Sequence, residues 1–399
     1  MKRDAYLQLS GLMFFQLLFL GAFQPVIGTY LKDTLHFSGT QVGLTLTVYQ
    51  LASMLSPLIA AFVVDRVLSA RLLYAGLQVV IAGLAFGLTL VQGFLPFLVL
   101  FGVYALFVGP TGALVNALSF ARMPDRSRNY GKVRLWGTVG WIVAGLGMGL
   151  LWLLPGSRMS WIFWVSGVSS LFAALLSMVL PHVPLAKPDR KFELIPKAAF
   201  RVFLQPGLIK FGILWFLSGI LDRFYYIATS PYLLQLGFSP SQIMPVMTLG
   251  QFTEAGLLLL TGPALKRWGL RNVLLIGLTM QVTRFVLLWS NLGPVWILAA
   301  LACNGFVFSF FYAVGTIFVD GHTRPETRGG VHQLMSLIFM GSSAVVGALL
   351  TGLAFDWFGK GGVVDYKQYY LLPIAIGLLA LMLAPLFFRR SDTVEAPLA

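Results

Sequence analysis

Charge is scarce in this 399-residue chain, and acid is scarcest: 14 Asp and Glu face 28 Lys and Arg, and charged residues make up only 11%. An average soluble domain is about one quarter charged, so most of this chain is unsuited to water. Cysteine is almost missing. The single Cys303 lies in an apolar run, which excludes an intramolecular disulfide framework and a Cys-rich metal site and leaves packing as its expected role. Neither an HExxH pair nor a phosphate-cradling P-loop is present, and no acidic or His cluster marks a membrane face. A membrane-embedded acyl- or glycosyltransferase therefore has no support, ATP-driven pumping by this chain alone is not expected, and no cofactor or metal is called for.

What remains is apolar. Hydrophobic residues form 58% of the chain and fall into runs at about 7–31, 42–64, 72–92, 95–118, 132–154, 160–181, 207–234, 242–265, 271–290, 294–319, 329–357 and 367–388. A helix needs about 20 apolar residues to cross roughly 30 Å of hydrocarbon, and only helices or closed barrels satisfy their backbone there. The expected fold is an all-α polytopic membrane protein of twelve transmembrane helices. The first run is too long for a signal-peptide core and lacks a small-residue cleavage site, so it reads as a retained first span.

The net charge of +14 would suggest nucleic acid in a soluble chain. Here the basic residues cluster at the termini and at alternate connections, among them Arg66, Arg71, Arg122, Arg126, Lys191, Arg201, Lys266, Arg271, Arg324 and Arg390. The opposite connections hold only Lys32, Arg158, Lys360 and Lys367. This asymmetry sets topology and places both termini in the cytoplasm. The bilayer is the partner, and nucleic acid is not. The longest polar interruption, rich in proline and mixed charge, follows span six. It divides the chain into an N-terminal six-helix bundle (1–181), a cytoplasmic linker (182–206) and a C-terminal six-helix bundle with a short tail (207–399).

Related signals recur in both halves. "AAFVVDRVLSAR" follows span two and "TGPALKRWGLR" follows span eight. Both resemble the loop motif of the major facilitator superfamily: Asp65, Arg66 and Arg71 match in the first copy, and Arg267, Gly269 and Arg271 in the second, where Lys266 replaces the acid. The resemblance implies a charged latch at the cytoplasmic helix ends. It also implies two six-helix bundles that transport by alternating access, with a site at the bilayer midplane.

Polar groups inside the spans are costly and carry the functional signal. Span five opens with "YGKVRLWGTVGW", where Arg134, Thr138 and Trp141 stand at i, i+4 and i+7 on one helical face. A guanidinium, a hydroxyl and an indole in one stripe can hydrogen-bond and stack a planar or sugar ring. A snorkelling Arg with an interfacial Trp has the same spacing. The segment resembles the fifth-span signature shared by nucleoside:proton symporters and lactose-permease-type oligosaccharide:proton symporters, which implies that Arg134 and Trp141 contact substrate. The lactose-permease branch carries a Glu eighteen residues before this Arg; Asn116 stands there instead.

Span eight carries "GQFTEAG". Gln251 and Glu254 resemble the substrate-binding pair of the nucleoside symporters. Low dielectric disfavours a charged carboxyl, so Glu254 is the leading acid for proton coupling; a structural pair with Arg284 or Arg223 is the bland reading. In span seven, "LDRFYYIATSPYL" places Asp222 beside Arg223, as a local ion pair or a proton relay, with Tyr225 and Tyr226 as substrate donors. Span ten, "GFVFSFFYAVGTIFVD", supplies Phe308 and Tyr312, but Ser309 stands where the family usually has an acid. Asp320 is expected to pair with a nearby Arg such as Arg324, and Arg284 to serve as a structural charge. Gln16, Gln24, Tyr49 and Ser53 could border a cavity, Pro25, Pro57, Pro110 and Pro231 should kink their spans, and His332 reads as a boundary residue.

The resemblance implies a monomeric secondary transporter of the bacterial inner membrane. Its cargo would be nucleosides or similar small polar rings taken up with protons; the alternative is a sugar, oligosaccharide or aromatic-acid symporter.

Overall fold

The computed structural model describes residues 3–66, 68–123, 126–180 and 197–387. The linker prolines and charges of 182–196 and the side chains of Asp65 and Arg66 lie outside the described residues, so that half of the expected latch is not described. Among the described residues, ten helices are long and apolar enough to cross a membrane, and eleven if the bent pair Lys197–Phe203 and Pro206–Gln235 counts as one span.

By contact the chain falls into two compact units, one from Met1–Phe192 with Leu233–Pro245, the other from Glu193–Tyr232 with Val246–Ala399. The first holds α1 (Arg3–Thr34), α2 (Gly39–Val64), α3 (Ala70–Leu88), α4 (Phe94–Phe120), α5 (Asn129–Leu151) and α6 (Trp161–Val179). Helix α1 packs along both α5 and α6, α3 along α6, and α2 along α4. The α1–α5 approach depends on Gly140, where any Cβ would run into the carbonyl of Phe14. Small residues let helix backbones close up where lipid supplies no hydrophobic drive. The core is apolar and includes Leu9, Leu12, Leu114, Leu118 and Val133.

In the second unit come α7 (Pro206–Gln235) and a 51-residue helical stretch, Pro240–Ser290. That stretch is broken at Gly269, whose φ of 75° and ψ of 162° no side-chain-bearing residue adopts cheaply. The break yields α8 (240–268) and α9 (270–290), the two separate helices expected from the sequence. Helices α10 (Pro294–Gly321), α11 (Pro325–Trp357) and α12 (Tyr366–Phe387) follow, with a two-stranded ribbon, Gly359–Lys360 against Val363–Val364, before α12. Phe211, Trp215, Phe311 and Phe318 pack within an aromatic-rich core. Leu259, Leu90 and Val295 are 82%, 83% and 75% exposed, which suits hydrocarbon rather than water.

Several spans are irregular where polar residues sit. Pro25 falls in a tight 3-10 turn (Gln24–Val26), Pro110 separates two segments of α4, and Pro57 and Pro231 lie inside helices. Among the π-helical turns, Val307–Ala313 in α10 and Ser336–Gly341 in α11 widen the helix locally, as Tyr30–Thr34 does at the end of α1. Such turns collect at functional positions, and the one in α10 carries Phe308, Ser309 and Tyr312.

Candidate functional site

The first unit contains a cavity of about 300 Å³ lined by polar groups of α1, α2, α4 and α5. Gln16, Gln24, Tyr49 and Ser53, singled out in the sequence, line it together with Gln50, Thr111, Asn116 and Arg134. A hydrogen-bond network centred on Gln16 backs its wall. The amide of Gln16 donates to Thr111 Oγ1 at 2.8 Å and accepts from Tyr74 Oη at 2.7 Å and Gln78 Nε2 at 3.0 Å. Both lone-pair sites of its oxygen and one of its N–H donors are thereby used, so its role is to hold α1, α3 and α4 in register.

Arg134 is a lining group with capacity left over. Its Nη1 is buried and has no hydrogen-bond partner among the described residues. Gly137, one turn on, leaves it room, since a Cβ there would stand 2.7 Å from Nη1. The position matching the lactose-permease Glu offers no counter-charge: Asn116 accepts from Tyr130 Oη at 3.0 Å. A buried guanidinium donor without an acceptor is costly, and a ligand oxygen would relieve that cost. Thr138 and Trp141 are half-buried on the same helix but do not line this cavity. Trp141 instead packs against α1 at Gly21, where a Cβ would come within 3.2 Å of its backbone and ring.

The second unit gathers a larger polar cluster. Arg284 of α9, 0% exposed, forms an ion pair with Asp222 of α7, Nη2 to Oδ1, at 2.6 Å. Its Nη1 donates to Asn304 Oδ1 of α10 at 2.9 Å, and its guanidinium lies 4.3 Å from the centre of the Tyr225 ring. Gln281 Nε2 supports Asp222 weakly at 3.4 Å and the Ser218 carbonyl at 3.0 Å. Asn304 Nδ2 reaches Tyr226 Oη at 3.4 Å. Glu254 of α8 lies against α10 one residue from Asn304: a Cβ on Gly305 would stand 2.5 Å from the Glu254 backbone nitrogen. Tyr312 hydrogen-bonds Ser218 across 3.0 Å. Ser309 donates to the Glu254 carbonyl at 3.2 Å, so the position that lacks the family acid instead ties α10 to the backbone beneath Glu254. Gln251 is half-buried one turn before Glu254, and Phe308 is 40% exposed.

Two ion-pair partners differ from those nearest in sequence. Asp222 takes Arg284 rather than its neighbour Arg223, because adjacent residues on a helix diverge by about 100°; Arg223 lies 5.6 Å from the Tyr226 ring centre instead. Arg284 is thereby held by Asp222. Asp320 does pair with a nearby arginine, Arg328 at 3.3 Å rather than Arg324, and also with His332 at 2.7 Å. Arg324 precedes Pro325 and is held extended (φ −86°, ψ 156°), outside the helix that carries Arg328 and His332 at a spacing of four.

Of the remaining charges, Arg71 Nη1 caps the end of α6 by donating to the Leu180 carbonyl at 2.6 Å. In the connection after α4, Arg122 donates to Gln8 Oε1 at 3.2 Å. Burial, and then the nearby Arg71, holds its guanidinium below its ordinary pKa. Arg267 is exposed, and Arg271 is half-buried with its Nε unpartnered among the described residues. Asn304 was not singled out in the sequence; its only signal was an amide in an otherwise apolar run.

Comparison with known proteins places this geometry in context. The family model described as Nucleoside H+ symporter matches residues 3–393. The xanthosine permease of Escherichia coli (strain K12) is 28% identical over 402 residues, covering 96% of this chain and 94% of that protein. The nucleoside permease NupG of the same organism is 24% identical over 389 residues, covering 92% and 91%. The crystal structure of NupG superposes with a TM-score of 0.86 at 22% identity, covering 97% of this chain and 99% of that one.

Proposed function

The chain belongs to the Nucleoside H+ symporter family, a multi-pass membrane transporter that moves nucleosides with protons, and we propose from that premise which groups perform the two tasks. Arg134 is the substrate ligand of the first unit. The observation that carries this is its buried, unpartnered Nη1 at the wall of a 300 Å³ cavity. A nucleoside offers carbonyl, ring and hydroxyl oxygens that such a donor can bind. Thr138 continues the same helical face beyond the cavity wall, and Trp141, packed at Gly21, fixes α5 against α1.

In the second unit Tyr226, Gln251 and Glu254 serve substrate and proton. Glu254 is the coupling acid, a half-buried carboxylate in an apolar span whose backbone carbonyl is held by Ser309 of α10. Tyr225, with Arg284 against its ring, and Tyr312, bonded to Ser218, act by holding that framework. Phe308, exposed at the π-helical turn, is an apolar contact for a base. Arg71, Arg267, Arg271 and Asp320, with Asp65 and Arg66, set the cytoplasmic helix ends. The protein works as a monomer of two bundles (1–181 and 207–399), with both termini in the cytoplasm. The membrane potential supplies about 2.3 kcal/mol per proton charge per 100 mV to uptake.

Uptake of a radiolabelled nucleoside into proteoliposomes, with and without an imposed proton gradient, tests this. Accumulation above the outside concentration only with the gradient is expected; equilibration alone under a gradient would remove the coupling.

A further inference from the structure

The direction of the hydrogen-bond chain in the second unit can be worked out from chemistry alone. Arginine carries donors and no acceptor. The group of Asn304 that lies 2.9 Å from Arg284 Nη1 must therefore be the amide oxygen. This turns the amide NH2 toward Tyr226, and at 3.4 Å the phenol oxygen receives that hydrogen. The single O–H hydrogen of Tyr226 is thus shut out of this link and has to leave in another direction. Arg284 cannot swing away to relax the arrangement, because Asp222 holds Nη2 at 2.6 Å and the Tyr225 ring lies against the guanidinium.

We infer that Asn304 is a positioning residue that makes Tyr226 an obligate hydrogen-bond donor to the nucleoside. The carrier then favours substrates that present a carbonyl or other oxygen acceptor at that point over those that present an amino group. The inference rests on the reading that Tyr226 touches substrate. It assigns a role to a residue that contacts no ligand itself, and it ties substrate affinity to a buried ion pair one residue removed.

The test is uptake kinetics with labelled uridine for the wild type, Asn304→Asp, Tyr226→Phe and the double variant. Asn304→Asp keeps an oxygen for Arg284 but replaces the NH2 by a second acceptor, so the phenol hydrogen turns back toward residue 304. Loss of one hydrogen bond corresponds to a KM about tenfold higher, with the maximal rate per folded carrier unchanged. Tyr226→Phe should raise KM by the same factor, and the double variant no further, because both changes remove one contact. A double variant with about a hundredfold higher KM would show that Asn304 acts independently and would overturn the inference while leaving Tyr226 in the site. An unchanged KM in Tyr226→Phe would overturn the underlying reading as well. Should Asn304→Asp fail to fold, Asn304→Ala also removes the donor and must show the same non-additivity with Tyr226→Phe. Replacing uridine by cytidine should reduce the wild-type affinity more than that of Asn304→Asp; equal losses would contradict the predicted preference.

Discussion

Removing the Asp222 carboxylate is the sharpest perturbation of the second unit. Arg284 is wholly buried, with a 2.6 Å contact to Asp222 as its charge partner, and one further donor bond to Asn304. Two unit charges about 4 Å apart attract by about 4 kcal/mol at an effective dielectric constant near 20. Breaking a buried pair by deleting one member costs about 3–5 kcal/mol, since the orphaned charge stays desolvated. Asp222→Ala should therefore be among the most destabilising single changes in the protein. The paired change Asp222→Ala with Arg284→Met removes both charges and keeps apolar volume, so most of the loss should return. Arg284→Met alone should cost less than Asp222→Ala, because Asp222 keeps 13% exposure and the Gln281 amide still donates to it. The assay is the monodisperse fraction surviving a heating series in detergent, read for all four proteins. Asp222→Ala as heat-resistant as the wild type, or a double variant carrying the sum of the single losses, would refute the argument.

Two further outcomes follow from packing. Gly140→Val should cost at least the 1–3 kcal/mol typical of overpacking, because its Cβ meets the Phe14 backbone carbonyl rather than a movable side chain; low recovery of folded protein beside a normal Gly147→Val control, where a Cβ meets nothing within 4 Å, checks it. Gln16→Leu strands the Tyr74 hydroxyl and a Gln78 N–H at once, while Thr111 keeps its bond to the Val108 carbonyl, and unmade buried hydrogen bonds cost about 1–3 kcal/mol each. A large drop in detergent heat resistance is expected there, and a neutral result would mean the network is satisfied otherwise.

How far the sequence reaches differs by feature. Helix positions are legible because a bilayer imposes a length and a composition, and even the Pro240–Ser290 stretch divides where basic residues and Gly269 interrupt the apolar run. Arg134 is legible because an intramembrane guanidinium is conspicuous. Its unpartnered state is not, since that depends on Asn116 turning to Tyr130. Partner choice is where local reading fails. The Asp222–Arg284 pair joins residues 62 apart, while the neighbouring Arg223 looks adequate on paper. Arg324 stands closer to Asp320 in sequence than Arg328 does, yet the following proline holds it extended. Asn304 went unnoticed because amides carry no formal charge, and the cost of burying one is visible only when its partners are known.

The division of labour between ligand and coupling acid is tested most directly with Glu254→Gln in proteoliposomes, by measuring two transport modes of the same nucleoside. Counterflow, which exchanges labelled for unlabelled nucleoside and needs no net proton movement, should persist. Accumulation driven by an imposed proton gradient should be lost. A Glu254→Gln carrier that still concentrates nucleoside under the gradient would contradict the account.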